Sequence, residues 1–123
     1  MGAYKQAQIH LWNAAGAATQ HEHTELLRTL YDHIVSIVSR QSCGGHDAAL
    51  LDIASGPGEP ALSIARALPG CSVLATDVAC SMVHMARLRA EFVGLTNLRC
   101  RACLLLPLVH ACMHQYSDVP VAT

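Results

Sequence analysis

The chain is short of charge. Lys, Arg, Asp and Glu make up 14% of its 123 residues, and 8 basic against 9 acidic side chains leave a net charge of -1. That balance offers no basic face for nucleic acid and no patch for an anionic membrane surface. Long apolar runs are lacking as well. None approaches the roughly 20 residues that cross a bilayer, so no membrane span is expected. The first residues carry no charged-then-apolar leader, and "MGAYKQ" has Gln6 where an N-myristoylation sequence wants Ser or Thr. A cytoplasmic location is the expectation that follows. A dense cysteine framework is also missing: Cys43, Cys71, Cys80, Cys100, Cys103 and Cys112 are irregularly spaced and, without a leader, expected to be reduced.

What is present is apolar content. At 52% hydrophobic residues the chain suits one domain with a well-buried core and excludes a disordered tail. "CRAC" at 100–103 and the nearby His110, Cys112 and His114 combine thiols and imidazoles, but their spacing matches no zinc module, so no metal site is expected. Cys100 shares a strand face with Leu98 and Ala102, where a thiol acts as a small apolar group. "HEH" at 21–23 reads as a solvated approach to a helix.

There is no repeat and no low-complexity tract. Residues 4–18, Ala-rich around Trp12, favour a short helix that Gly16 weakens. Leu27, Leu30, Tyr31, Ile34 and Val38 recur at three- and four-residue steps and predict a helix over 24–39, with Thr24 as its cap and "CGG" at 43–45 as its stop. "AALLDIA" then fits a strand buried on both faces. Pro60, just after Glu59, suits a helix start, and Ala61, Leu62, Ala65 and Leu68 form its inner face before "PG" at 69–70 ends it. "CSVLATD" predicts a second strand, and Ser81 to Phe92 a second helix with Met82, Met85 and Ala86 inward. "NLRCRAC" alternates, with Leu98, Cys100 and Ala102 on one side and Arg99 and Arg101 on the other, as an edge or half-exposed strand does. Strands alternating with helices imply right-handed crossovers: an α/β fold on a Rossmann-like parallel sheet.

"LLDIASGPGEPALSIA", residues 50–65, concentrates the chemistry. Gly56 and Gly58 lack Cβ atoms, so the turn can adopt unusual dihedrals and let a ligand lie against the backbone. Helix-start amides beyond Glu59 are expected to face that ligand and favour a negative group. Asp77, ending the second strand, stands beside the same crevice and can accept both hydroxyls of a ribose. Two ligand classes fit. "GPGEPA" followed by Asp77 satisfies the loose dinucleotide pattern, which makes an NAD-binding oxidoreductase fragment one reading. Asp52 points to the other, because a carboxylate before the loop suits a ligand that carries a cationic amine.

Together with "VLATDVACSMVHMA", this stretch resembles the class I S-adenosylmethionine-dependent methyltransferases, in the branch that includes ubiquinone and menaquinone C-methyltransferases. "WNAAGAA" at 12–18 is similar to an N-terminal helix of many of these enzymes, and the resemblance covers most of residues 10–100. It implies that S-adenosyl-L-methionine is the cofactor and that the acceptor is a small molecule. Asp52, Gly56 and Gly58 fall on the family's first motif, with Ala54 in place of a common glycine and Ser55 in place of a frequent cysteine. Asp77 matches the ribose-gripping acid, and Val78 and Met82 match apolar positions beside the adenine, although core packing explains those two equally well. Residues 1–45 are thus expected to be an N-terminal helical segment and 46–123 a cofactor-binding Rossmann-like half-domain.

The chain departs from the family's pattern at Ala102 and Cys103, where an adenine-reading aspartate is typical, and at His110 and His114, where an acid is typical. It names no catalytic base; His84 and His114 qualify by residue type alone. A whole fold of this kind needs on the order of 150 residues. The expectation is therefore an incomplete, truncated fold with its acceptor half missing. The alternative is a non-catalytic paralogue that acts through its exposed sheet edge, by self-association or by pairing with a partner.

Overall fold

In a computed structural model, residues 2–15, 26–41 and 48–102 are described. They form helices α1 (Ala3–Ala15) and α2 (Arg28–Gln41), then strand β1 (Ala49–Ile53), helix α3 (Ala61–Ala67), strand β2 (Ser72–Asp77), helix α4 (Cys80–Phe92) and strand β3 (Leu98–Ala102). The three strands run parallel in the order β1-β2-β3, as the alternation of strands and helices requires. Among the described residues, no helix is long and apolar enough to cross a membrane.

The register explains the core. Leu50, Val73 and Leu98 are level across the sheet, as are Asp52, Ala75 and Cys100, so these side chains share one face. Against that face pack Ala61, Leu62, Ile64 and Ala65 from α3, and Val83, Ala86 and Ala90 from α4. Alanines at the contact let both helices sit close to the strands. Ile34, Val35 and Val38 of α2 extend the same cluster.

Two expectations shift. Leu30 does not belong to the buried stripe: it is 49% exposed. The inward edge of α2 runs through Tyr31, Ile34, Val35 and Val38, at the steps one helix face allows. The strand buried on both faces is β2, where Val73 to Thr76 are all buried, whereas β1 is only half-buried and Ile53 is 50% exposed. Among the described residues β2 has a partner on each side and β1 on one side only. An apolar run by itself does not distinguish these two situations. The expected Thr24 cap and the "CGG" stop lie outside the described residues.

Asn97 locks the layers together. Its Nδ2 donates to the carbonyls of Ala65, Leu68 and Cys71 at 3.0, 3.1 and 2.9 Å, gathering the end of α3 and the turn into β2. Its own carbonyl accepts from the Val73 amide at 2.8 Å. One residue thus fixes where α3 ends, through its side chain, and where β2 and β3 come into register, through its backbone.

Candidate functional site

The carboxyl ends of β1 and β2 meet at the glycine loop, and short backbone bonds hold the loop to β2. Both the amide and the Oγ of Ser55 donate to the Thr76 carbonyl, at 2.9 and 3.2 Å. Ser55 is buried, so its hydroxyl anchors the loop and does not reach outward. The Gly56 amide donates to Asp77 Oδ2 at 2.8 Å, and Asp77 Oδ1 accepts from the Ala79 amide at 2.9 Å, a turn-forming bond that leads into α4. Asp77 is therefore engaged by two amides. Each of its oxygens keeps a further lone pair for an outside hydroxyl.

The two glycines do different work. A Cβ on Gly56 (φ +54) would meet nothing within 4 Å among the described residues, which leave that side of the loop bare. On Gly58 (φ +109) it would stand 2.8 Å from Leu62 Cδ1 and 3.1 Å from the Ala86 Cβ. Gly58 is there so that the loop can pack onto α3 and α4, a constraint that Gly56 does not share. Ala54 sits at φ 60, where an L side chain is strained. Ala54→Gly is expected to raise stability by about 0.5–1 kcal/mol, the relieved strain less the added freedom of the unfolded chain, and a urea midpoint measures it.

Asp52 is the unusual group. Its Oδ2 is buried and takes no hydrogen bond among the described residues. Burial pushes its carboxyl up to about 6, and the Asp77 and Glu59 carboxylates push the same way, while the Ala61 amide pulls it down. Asp52 and Asp77 lie on one face of the sheet at the ends of neighbouring strands, since Asp52 is level with Ala75. A buried acceptor left unpaired costs free energy unless a water, ion or ligand meets it.

The helix-start amides are not free for a ligand, contrary to the expectation from Glu59 and Pro60. Leu62 N donates to the Gly58 carbonyl at 2.7 Å and Ser63 N to Glu59 Oε2 at 3.2 Å. The loop and its Glu59 thus take two of the donors of that turn. Of the two positions expected to flank an adenine, Val78 is half-buried and Met82 is 5% exposed. Ala102 is exposed at the end of β3, while Cys103, His110 and His114 lie outside the described residues.

Two groups at this site carry no sequence signal. Asn13 of α1 accepts from Ser81 N and Oγ at 3.1 and 2.9 Å, so it caps α4 from a separate helix. Arg89 donates to the Pro57 carbonyl at 2.9 Å and to Glu59 Oε1 at 3.1 Å, gripping the loop from α4. Both bonds join residues far apart in the chain, and only the packing of α4 brings them together.

No family model matches the chain, and no curated protein matches it in sequence. Solved structures do. Coclaurine N-methyltransferase bound to N-methylheliamine and SAH superposes with a TM-score of 0.53 at 16% identity, over 60% of this chain and 21% of that one. EvdMO1 gives 0.53 at 23% identity over 60% and 17%, and the MccD protein 0.51 at 19% over 58% and 31%. The chain thus spans a third or less of the length of each. The described residues have the α/β fold of the N-terminal, Rossmann-like part of a class I methyltransferase.

Proposed function

We propose that the chain holds S-adenosyl-L-methionine at the carboxyl ends of β1 and β2, as the cofactor-binding part of a small-molecule methyltransferase of the ubiquinone and menaquinone C-methyltransferase kind. The observation that carries this reading is the buried, unpartnered Oδ2 of Asp52 beside the bare side of Gly56. A carboxylate without a partner at a loop without a side chain suits an approaching ammonium group, which the methionine portion of this cofactor has. Asp77 then receives the ribose hydroxyls through its remaining lone pairs. Val78 and Met82 flank the adenine, while Ala54 and Ser55 shape the loop and leave Gly56 as the contact surface.

The spent amides of α3 weigh against a dinucleotide. A pyrophosphate needs donors at the helix start, and here the Leu62 and Ser63 amides serve Gly58 and Glu59. Asp52 adds a negative charge where a phosphate would have to lie.

Asp52, Gly56 and Asp77 would hold the cofactor, which would supply a methyl group activated by its sulfonium sulfur, the sulfur leaving as a neutral thioether when the methyl passes in line to an acceptor. The residues at the strand tips hold and orient it; none of them is assigned to the acceptor. His84 is exposed on α4.

Ile53, half exposed on a strand with one partner among the described residues, favours a second reading in which β1 pairs with another copy. A stable monomer in size-exclusion chromatography removes it. For the first reading the test is calorimetry with S-adenosylhomocysteine and with NAD in parallel. Saturable heat with S-adenosylhomocysteine alone is expected, and heat with NAD alone overturns it.

A further inference from the structure

Behind the glycine loop, between α2 and α3, lies a cavity of about 400 Å³. Its volume is within the range of small-molecule sites, but its walls are polar and charged. Arg28 enters from α2, Arg66 from α3 and Arg89 from α4, with Tyr31, Ser63 and Glu59 between them.

The charges are not equally available. Glu59 is already matched: its Oε1 accepts from Arg89 at 3.1 Å and its Oε2 from Ser63 Oγ at 2.7 Å. Arg89 is likewise spent, on Glu59 and on the Pro57 carbonyl. Arg28 and Arg66 have neither a hydrogen bond nor an ion pair among the described residues, although Asp32 also borders the cavity. Two uncommitted guanidinium groups against one carboxylate leave the space net positive. Tyr31 adds a neutral O–H donor, since burial and then the Glu59 carboxylate push its phenol up.

We propose that the cavity between α2 and α3 is a binding site for a small molecule carrying a phosphate or carboxylate group, gripped by Arg28 from one wall and Arg66 from the other. Guanidinium forks match the paired oxygens of both groups, and two forks on separate helices hold such an anion better than either alone. The Glu59–Arg89 pair, fixed by Ser63 and Pro57, forms a preset floor that does not have to rearrange. The site is separate from the strand tips and does not rest on the cofactor reading.

Calorimetry on the full chain at low ionic strength tests it, with inorganic phosphate in one arm and succinate in the other. Saturable binding is expected in at least one arm, and the tighter arm identifies the group. Arg28→Gln and Arg66→Gln are each expected to weaken that binding about tenfold or more, the loss of a charged hydrogen bond. Lys5→Gln, on α1 and away from the cavity, should leave it unchanged. Both arginines are exposed, so these substitutions spare the core. The proposal is overturned by an absence of saturable binding in both arms, by binding that both arginine variants retain, or by an equal loss in Lys5→Gln.

Discussion

Gly58→Ala is expected to cost about 3 kcal/mol of folding stability, combining a backbone strained at positive φ with an overpacked contact. The φ of +109 is one that L residues rarely adopt, and the added methyl would stand 2.8 Å from Leu62 Cδ1 and 3.1 Å from the Ala86 Cβ. Leu62 can turn its tip aside. Ala86 cannot, because its Cβ is fixed by the backbone of α4. Relief therefore requires moving the loop off the helix, and the loop is tied down by the Gly58 amide on the Ser55 carbonyl at 3.0 Å and the Leu62 amide on the Gly58 carbonyl at 2.7 Å. The reduced freedom of the unfolded chain returns less than about 1 kcal/mol. Gly56→Ala is the internal control. Its φ of +54 carries a cost of about 1 kcal/mol, with no contact to add to it. Chemical denaturation of the two variants side by side measures the difference, and equal losses would mean that contact with α4 is not what requires glycine at 58.

Asn97→Asp is expected to destabilise the protein by about 3 kcal/mol or more at neutral pH, and Asn97→Ala by about 2. The native amide nitrogen meets the carbonyls of Ala65, Leu68 and Cys71 within 3.1 Å. Alanine removes the donor and leaves three part-buried acceptors short of a partner. Aspartate does more harm, because it turns a negative acceptor toward three others. Typical domains are stable by only about 5–15 kcal/mol, so either change is a large fraction of the total. The pH dependence separates the two effects. The introduced carboxyl, surrounded by carbonyls, takes up a proton more readily when folded than when unfolded, so the Asn97→Asp deficit should shrink as the solution is acidified, while the alanine deficit stays constant. Urea midpoints for both variants across acid and neutral pH measure this.

How much of this was legible in the sequence depends on the range of each interaction. The alternation of apolar runs and helical stripes set out the parallel sheet, because strand and helix periods are local. The loop was legible for the same reason: Asp52, Gly56, Gly58 and Asp77 are marked by residue type and spacing. The division of labour between the glycines was not, since the bareness of Gly56 and the crowding of Gly58 depend on where α4 packs. Asn97, Asn13 and Arg89 are ordinary polar residues in the sequence, and each acts on atoms 26 or more positions away. The helix-start amides misled in the opposite direction. Pro60 and Glu59 mark a helix start, but not that Gly58 and Glu59 would use two of its donors. Leu30 fits the helical period and still faces out, because a period gives a face and the tertiary packing decides which edge of it is buried.

The most direct test of the account is Asp52→Asn, assayed both for stability and for S-adenosylhomocysteine binding. With its carboxyl raised to about 6 by burial, Asp52 contributes stability that is fully present below about pH 4 and lost as the pH rises through 6. Above that pH the wild type carries a buried, poorly satisfied charge. Asp52→Asn should therefore be more stable at pH 7.5, by about 1–2 kcal/mol after allowing for its partial exposure. The same substitution should weaken S-adenosylhomocysteine binding at least tenfold, and should abolish the fall in wild-type affinity expected as the pH drops through 6. A variant that gains stability and loses ligand identifies Asp52 as a group kept for binding at the expense of the fold. A variant that binds S-adenosylhomocysteine as tightly as the wild type would contradict the account.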